Sequence, residues 1–169
     1  MTMPAIDGAD AATAAHESGH ATIARAIGLD VRRASASSDD PGVITRWRVG
    51  IPPAEYASTV KKLLLVDLSG PLAECRATGR SELGAARTDR RNAISRALRL
   101  VLDEHGLADA QLTDALRSEA AELVERLRPK AAALVEENWP AIERVAAALA
   151  DGQILTGSEV DTLMAEQKP

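Results

Sequence analysis

The stretch Ala14–Ala21 reads AAHESGHA and spends two of the chain's three histidines, His16 and His20, four residues apart with Glu17 between them. An α-helix turns about 100° per residue, so a spacing of four brings both imidazoles to one face, one turn apart. The surroundings favour that helix. Alanine is the strongest helix former, Asp7 or Asp10 can cap the N-terminus and Gly28 can end it, which predicts a helix from about Ala11 to Ile27. Two imidazoles placed this way can reach one zinc ion, and Glu17, rotated by about 100°, stands beside a water that the zinc acidifies. In such a site the metal polarises a carbonyl while the carboxylate takes a proton from water and hands it to the leaving amine. The competing reading is a solvated helix face that carries two histidines. Gly19 weighs against it: glycine inside a helix costs about 1 kcal/mol relative to alanine, which points to close approach by another backbone or a ligand.

Composition supports a helical frame around this segment. Hydrophobic residues make up 46% of the 169, aromatics only 2%, and phenylalanine is absent, so helices packed through alanine and leucine are expected rather than a sheet sandwich. The fold class expected is mainly α with a small β-hairpin after the histidine helix. A chain of this length buries one core, so residues 1–169 are expected to form a single domain. Within it 1–10 are expected to be flexible, 11–106 to carry the metal-site helices and hairpin, and 107–169 to form the C-terminal helices. A net charge of −5 argues against a nucleic-acid partner, because phosphate contact needs a basic surface. The N-terminal MTMPAIDGADAATAA lacks signal-peptide features, and the lone Cys75 cannot form an internal disulfide; both point to the cytoplasm. The longest apolar run, KKLLLVDLSG, is interrupted by a charge, so no membrane span is expected.

VRRASAS and GVITRWRV, separated by the turn chemistry of Asp39-Asp40-Pro41-Gly42, predict the hairpin. A second helix is expected from about Tyr56 to Thr78, with Pro71 kinking or dividing it, and a third from about Thr88 to His105 with Gly106 after it. Further helices are expected over about Thr113–Leu127, around Ala131–Asn138, and over Pro140–Ala150. Thr156-Gly157-Ser158-Glu159 has the form of a capping box that starts the last one.

A catalytic zinc needs a third protein ligand and an open fourth position. Glu74, Glu82, Asp89, Asp103, Glu104 and His105 are candidates, of which His105 better suits the C-terminal end of its helix. Here the order of motifs carries a resemblance. HESGHA, then a hairpin, then LSGPLAE, then GAARTDRRNA, is similar to the peptidase domain of the FtsH family of ATP-dependent zinc proteases, in which HEAGHA precedes an LAGRAAE-like helix and a GAxxDxxxA-like segment. NWPAIERVAAALADGQILTGSEV also resembles that family's C-terminal helix and its L-x-G-x-E-[IV] ending, so the likeness extends over nearly the whole chain. The resemblance implies a helical, zincin-like peptidase fold, Zn²⁺ as cofactor, His16, His20 and Asp89 as its ligands, and Glu17 as the base.

Three departures stand beside it. Arg87-Thr88 lengthens the spacing from Gly84 to Asp89, Pro71 stands where the family usually has arginine, and no nucleotide-binding GxxxxGK[ST] loop is present. The expected activity is therefore that of a zinc endopeptidase cutting unfolded or extended polypeptide without its own ATP-driven unfoldase. A separate ATPase or adaptor protein and a homo-oligomer are the partners the resemblance implies beside the polypeptide substrate. The alternative is a zinc-binding or interaction module that keeps the fold without catalysis. Residues Ile44, Thr45, Arg46 and Trp47 are expected to bind substrate, the strand edge by backbone pairing and Trp47 as a platform, with a core or cross-strand position in the hairpin as the equal alternative for Trp47. The arginines from Arg76 to Arg99 are expected to be solvated, Tyr56 to be a packing residue, and Cys75 to be a small buried side chain.

Overall fold

The computed structural model describes residues 8–45, 53–79, 85–107 and 112–166. Its elements in order are α1 (Gly8–Ala26), β1 (Val31–Ser35), β2 (Gly42–Thr45), α2 (Pro53–Thr78), α3 (Ala85–Glu104), α4 (Asp114–Glu137), α5 (Trp139–Ala150) and α6 (Gly157–Ala165). The fold is mainly α with one small antiparallel hairpin, as the composition implied.

Helix α1 is the axis of the molecule. From Ala14 to Ala24 every residue is buried, and the helix packs against α2, α5, α6 and both strands. Its alanines make this feasible, because neighbouring backbones can approach a helix with small side chains on several sides. α1 begins at Gly8, one turn before the expected start at about Ala11; residues 1–7 lie outside the described set. Gly28 closes the helix at φ +79° and Gly106 follows α3 at φ +64°, both in the left-handed region that glycine tolerates.

Helix α2 crosses α1 closely. An added Cβ at Gly19 would lie 2.7 Å from the Ser69 carbonyl oxygen and 2.7 Å from Cβ of Ala73. Gly19 is thus explained by backbone approach. Pro71 does not divide α2, which is one helix on either side of it. Proline removes one helical hydrogen bond, but residues 63–71 are buried throughout, so packing holds the helix across the gap.

The C-terminal third corrects one expectation. Instead of separate helices over Thr113–Leu127 and Ala131–Asn138, α4 is a single helix with Pro129 inside it. Its buried residues Leu116, Ala120, Val124, Ala131 and Val135 stay on one helical face on both sides of the exposed Pro129, and that continuous stripe outweighs the lost hydrogen bond. Thr113 caps α4, accepting from the Leu116 amide. The expected capping box is present: the Thr156 side chain accepts from the Glu159 amide, and the Glu159 carboxylate accepts from the Thr156 amide.

In the hairpin, Ser35 pairs with Gly42, Ala34 with Val43, Arg33 with Ile44 and Val31 with Thr45, with a register shift between Val31 and Arg33. β1 also exchanges two backbone hydrogen bonds with Leu155 through Ala34. Among the described residues β2 pairs with no strand on its other side. No described helix is long and apolar enough to cross a membrane.

Candidate metal centre

The three predicted ligands come together from two helices. His16 and His20 project from α1, and Asp89 from the first turns of α3. His16 Nε2 lies 2.8 Å from Asp89 Oδ2 and 3.1 Å from His20 Nε2, while His20 Nε2 lies 3.5 Å from the same carboxylate oxygen. A tetrahedral zinc with bonds of 2.0–2.1 Å separates its ligand atoms by about 3.3 Å, so this triangle has the right size.

Tautomers strengthen the fit. His20 Nδ1 lies 2.7 Å from the Val66 carbonyl oxygen, which only accepts, so this nitrogen donates. His16 Nδ1 lies 2.8 Å from Glu74 Oε2, an acceptor when ionised. With both Nδ1 atoms protonated, neutral rings turn their Nε2 lone pairs toward each other and toward Asp89. Three acceptor atoms within hydrogen-bond range and no donor among them repel, unless a cation or a proton lies between. This outer layer, a carboxylate behind one imidazole and a backbone carbonyl behind the other, is the arrangement that orients histidines on metals.

Electrostatics describe the protonated alternative. Burial would lower the pKa of His20, but the hydrogen bond from its ring to Asp89 and nearby carboxylates reverse this and push it up to about 9. Burial likewise works against ionised Asp89, yet hydrogen bonds from His16 and His20 hold its carboxyl well below the usual carboxylate range.

Glu17 is buried and lines the same cleft as the two histidines and Asp89, a cavity of about 430 Å³. Desolvation is the largest influence on it and raises its pKa, against the attraction of His20 and His16. A carboxylate so placed is a better proton acceptor than one in water.

The His20 ring has its own seat. A Cβ at Gly70 would fall 2.3 Å from His20 Nε2 and 2.5 Å from Cε1, so only glycine on α2 leaves room for the imidazole. Ser69 ties the same turn together, its one hydroxyl proton shared between the Val66 carbonyl at 2.7 Å and that of Gly19 at 3.2 Å.

Of the other candidates, Glu74 stands behind His16 rather than among the converging atoms, and His105 pairs with Glu119 at 3.1 Å. Asp103 forms an exposed pair with Arg99; Glu82 lies outside the described residues. Thr45 and Val43 of β2 line the cleft, whereas Ile44 is 49% exposed and is not among the lining residues. Arg46 and Trp47 lie outside the described residues.

Two cleft residues went unpredicted. Asp67 on α2 is buried and accepts from Arg96 Nε at 2.9 Å, so Arg96 is not merely solvated. Loss of hydration pushes Asp67 up to about 7, outweighing the attraction of Arg96 and His20. A signal was available, since Asp67 is the charge that interrupts KKLLLVDLSG and a buried acid requires a partner. Arg76 is likewise engaged, paired with Glu136 and stacked 4.2 Å over the Trp139 ring. Tyr56 packs against the core as expected, and Cys75 is half-buried rather than buried. The chain matches no protein-family model and no curated protein.

Proposed function

We propose that this chain is a zinc-dependent endopeptidase in which His16, His20 and Asp89 hold the metal and Glu17 moves the proton. The observation that carries the reading is the convergence of three lone pairs, from His16 Nε2, His20 Nε2 and Asp89 Oδ2, whose outer atoms are already committed to Glu74 and Val66. Zinc bound there would supply Lewis acidity, polarising a carbonyl and making water easier to deprotonate.

The remaining work belongs to side chains. As water adds to the carbonyl carbon, the Glu17 carboxylate accepts its proton; as the carbon–nitrogen bond breaks, Glu17 returns that proton to the leaving nitrogen. Burial of Glu17 favours the first transfer by raising its affinity for the proton. The edge of β2 that pairs with no described strand suits an extended polypeptide, which can add as a further strand through backbone hydrogen bonds. A site that accepts only extended chain needs substrate that is already unfolded, or a separate ATPase or adaptor to deliver it.

A zinc module without catalysis is the second reading. Glu17 favours the peptidase over it, because a structural site has no use for a buried carboxylate in the cleft beside its ligands. Glu17→Gln separates the two. The variant is expected to bind zinc like the wild type and to lose about a hundredfold to ten-thousandfold in cleavage of an unfolded protein substrate. Equal cleavage by variant and wild type would remove Glu17 from the mechanism.

A further inference from the structure

The cleft does not end at the metal centre. A second cavity of about 450 Å³ adjoins it, and Arg96 lines both. The lining residues progress along one seam. On α2 they descend from Asp67 and Leu63 in the cleft to Val60 and Tyr56 in the second cavity, while on α3 they ascend from Asp89 and Arg96 to Leu98 and Leu102. Opposite numbering on two packed helices means that the two cavities form consecutive lengths of the α2–α3 groove. The Asp67–Arg96 ion pair spans this groove at the junction.

The character of the groove changes there. Beyond Arg96 its walls are Tyr56 and Val60 on one side and Leu98 and Leu102 on the other, with Ser95 and Arg99 at an exposed edge. Neither Tyr56 nor Leu98 is fully buried, so each keeps apolar surface at the groove. From Asp89, Arg96 lies about 10 Å and Leu102 about 20 Å along the α3 axis at 1.5 Å per residue. An extended polypeptide advances about 3.3 Å per residue, so it covers that interval with about three to six residues.

We propose that this groove is a remote substrate subsite, taking a large aliphatic or aromatic side chain about three to six residues from the peptide bond that is cut. The inference rests on the peptidase reading and gives it a substrate class, polypeptide with an apolar anchor set apart from the scissile bond. Its occupant is a side chain of the substrate because Arg96 lines both the groove and the cleft, on the same helix seam.

Binding tests this without requiring cleavage. Glycine–serine peptides carrying a terminal hydroxamate, which chelates zinc, are prepared with one leucine stepped from the first to the eighth residue. Their affinities for zinc-loaded Glu17→Gln protein are read by fluorescence anisotropy. Leucine at about the third to sixth residue from the hydroxamate is expected to tighten binding about tenfold over the all-serine peptide, in line with burial of one aliphatic side chain. Ser95→Trp, which fills the groove from its exposed edge, should erase that gain, and Tyr56→Ala, which removes one wall, should reduce it. An affinity indifferent to the position of leucine, a gain that survives Ser95→Trp, or no binding by any peptide would overturn the groove. Positional binding by a protein whose wild type cuts no polypeptide would keep the groove and overturn the peptidase reading instead.

Discussion

Two seams deliver the candidate metal centre, and they are built differently. Where α1 meets α2, the contact is made by shape: Gly19 admits the α2 backbone and Gly70 admits the His20 ring, with Val66 and Ser69 fixing that turn by hydrogen bonds. Where α2 meets α3, leucines, valines and alanines are joined by a partly buried ion pair, Asp67 with Arg96, and the groove beside it stays open. The first seam fixes two ligands on one rigid helix. The second brings the third proposed ligand from another helix and leaves the cleft open beside it. The comparison teaches that in this chain small residues set the position of the histidines, while charge and apolar packing together set that of Asp89.

The first seam is the easier to break. In Gly70→Ala, the added methyl group meets the imidazole at a distance no side chain tolerates, so the His20 ring must leave its seat. Overpacking of this kind costs about 1–3 kcal/mol. Thermal unfolding is expected to register that loss, and competition with a chromogenic chelator is expected to show zinc affinity reduced by more than about a hundredfold, beyond the range for outer partners. Zinc affinity equal to the wild type would mean that the glycine does not seat the ligand.

A smaller change sharpens the same contrast. His16 depends on a side chain, Glu74, and His20 on a backbone carbonyl that no substitution removes. Glu74→Ala is expected to weaken zinc by about ten- to a hundredfold while leaving the cooperativity of unfolding intact. An unchanged affinity would show that α1 alone orients His16.

The smallest effect tests the second seam through pH. In the folded chain Asp67 titrates at about 7 against an ordinary value of 3.8, chiefly because burial strips its hydration. A raised pKa means that the folded state holds a proton the unfolded state releases. This contribution to stability is complete below about pH 4 and is lost as pH rises through about 7. Asp67→Asn removes that dependence, so metal-free wild type should lose stability relative to the variant between pH 4.5 and about 8, as followed by urea unfolding. Arg96 and His20 favour the ionised form of Asp67 and Asp89 opposes it, and a pH-independent difference would show that the attraction of Arg96 and His20 keeps it ionised throughout.

How much of this was legible in the sequence follows from the same contrast. Periodicity sufficed for the histidine pair, because a spacing of four on a helix is local geometry. Gly19 signalled a close contact, and its cost inside a helix was the reason. The partner of that contact, the Ser69–Gly70 turn, depends on the crossing of α1 over α2 and has no local signature. Asp89 was chosen among several carboxylates through resemblance, since ligands from different helices carry no fixed spacing. Asp67 and Arg96 were missed because a buried acid is intelligible only with its partner, and the partner lies on another helix. The hidden continuity of α4 has a similar origin: Pro129 is a local signal to stop, and the apolar stripe that overrides it is read only across both sides.

The most direct test is a zinc titration of the wild type beside Asp89→Ala, with bound metal counted by elemental analysis and affinity taken from chelator competition. The account predicts one zinc per wild-type chain and an affinity more than about a hundredfold weaker in the variant, beyond the loss of an outer partner. Failure of the wild type to hold zinc, or zinc held equally by both proteins, would contradict a centre made by His16, His20 and Asp89.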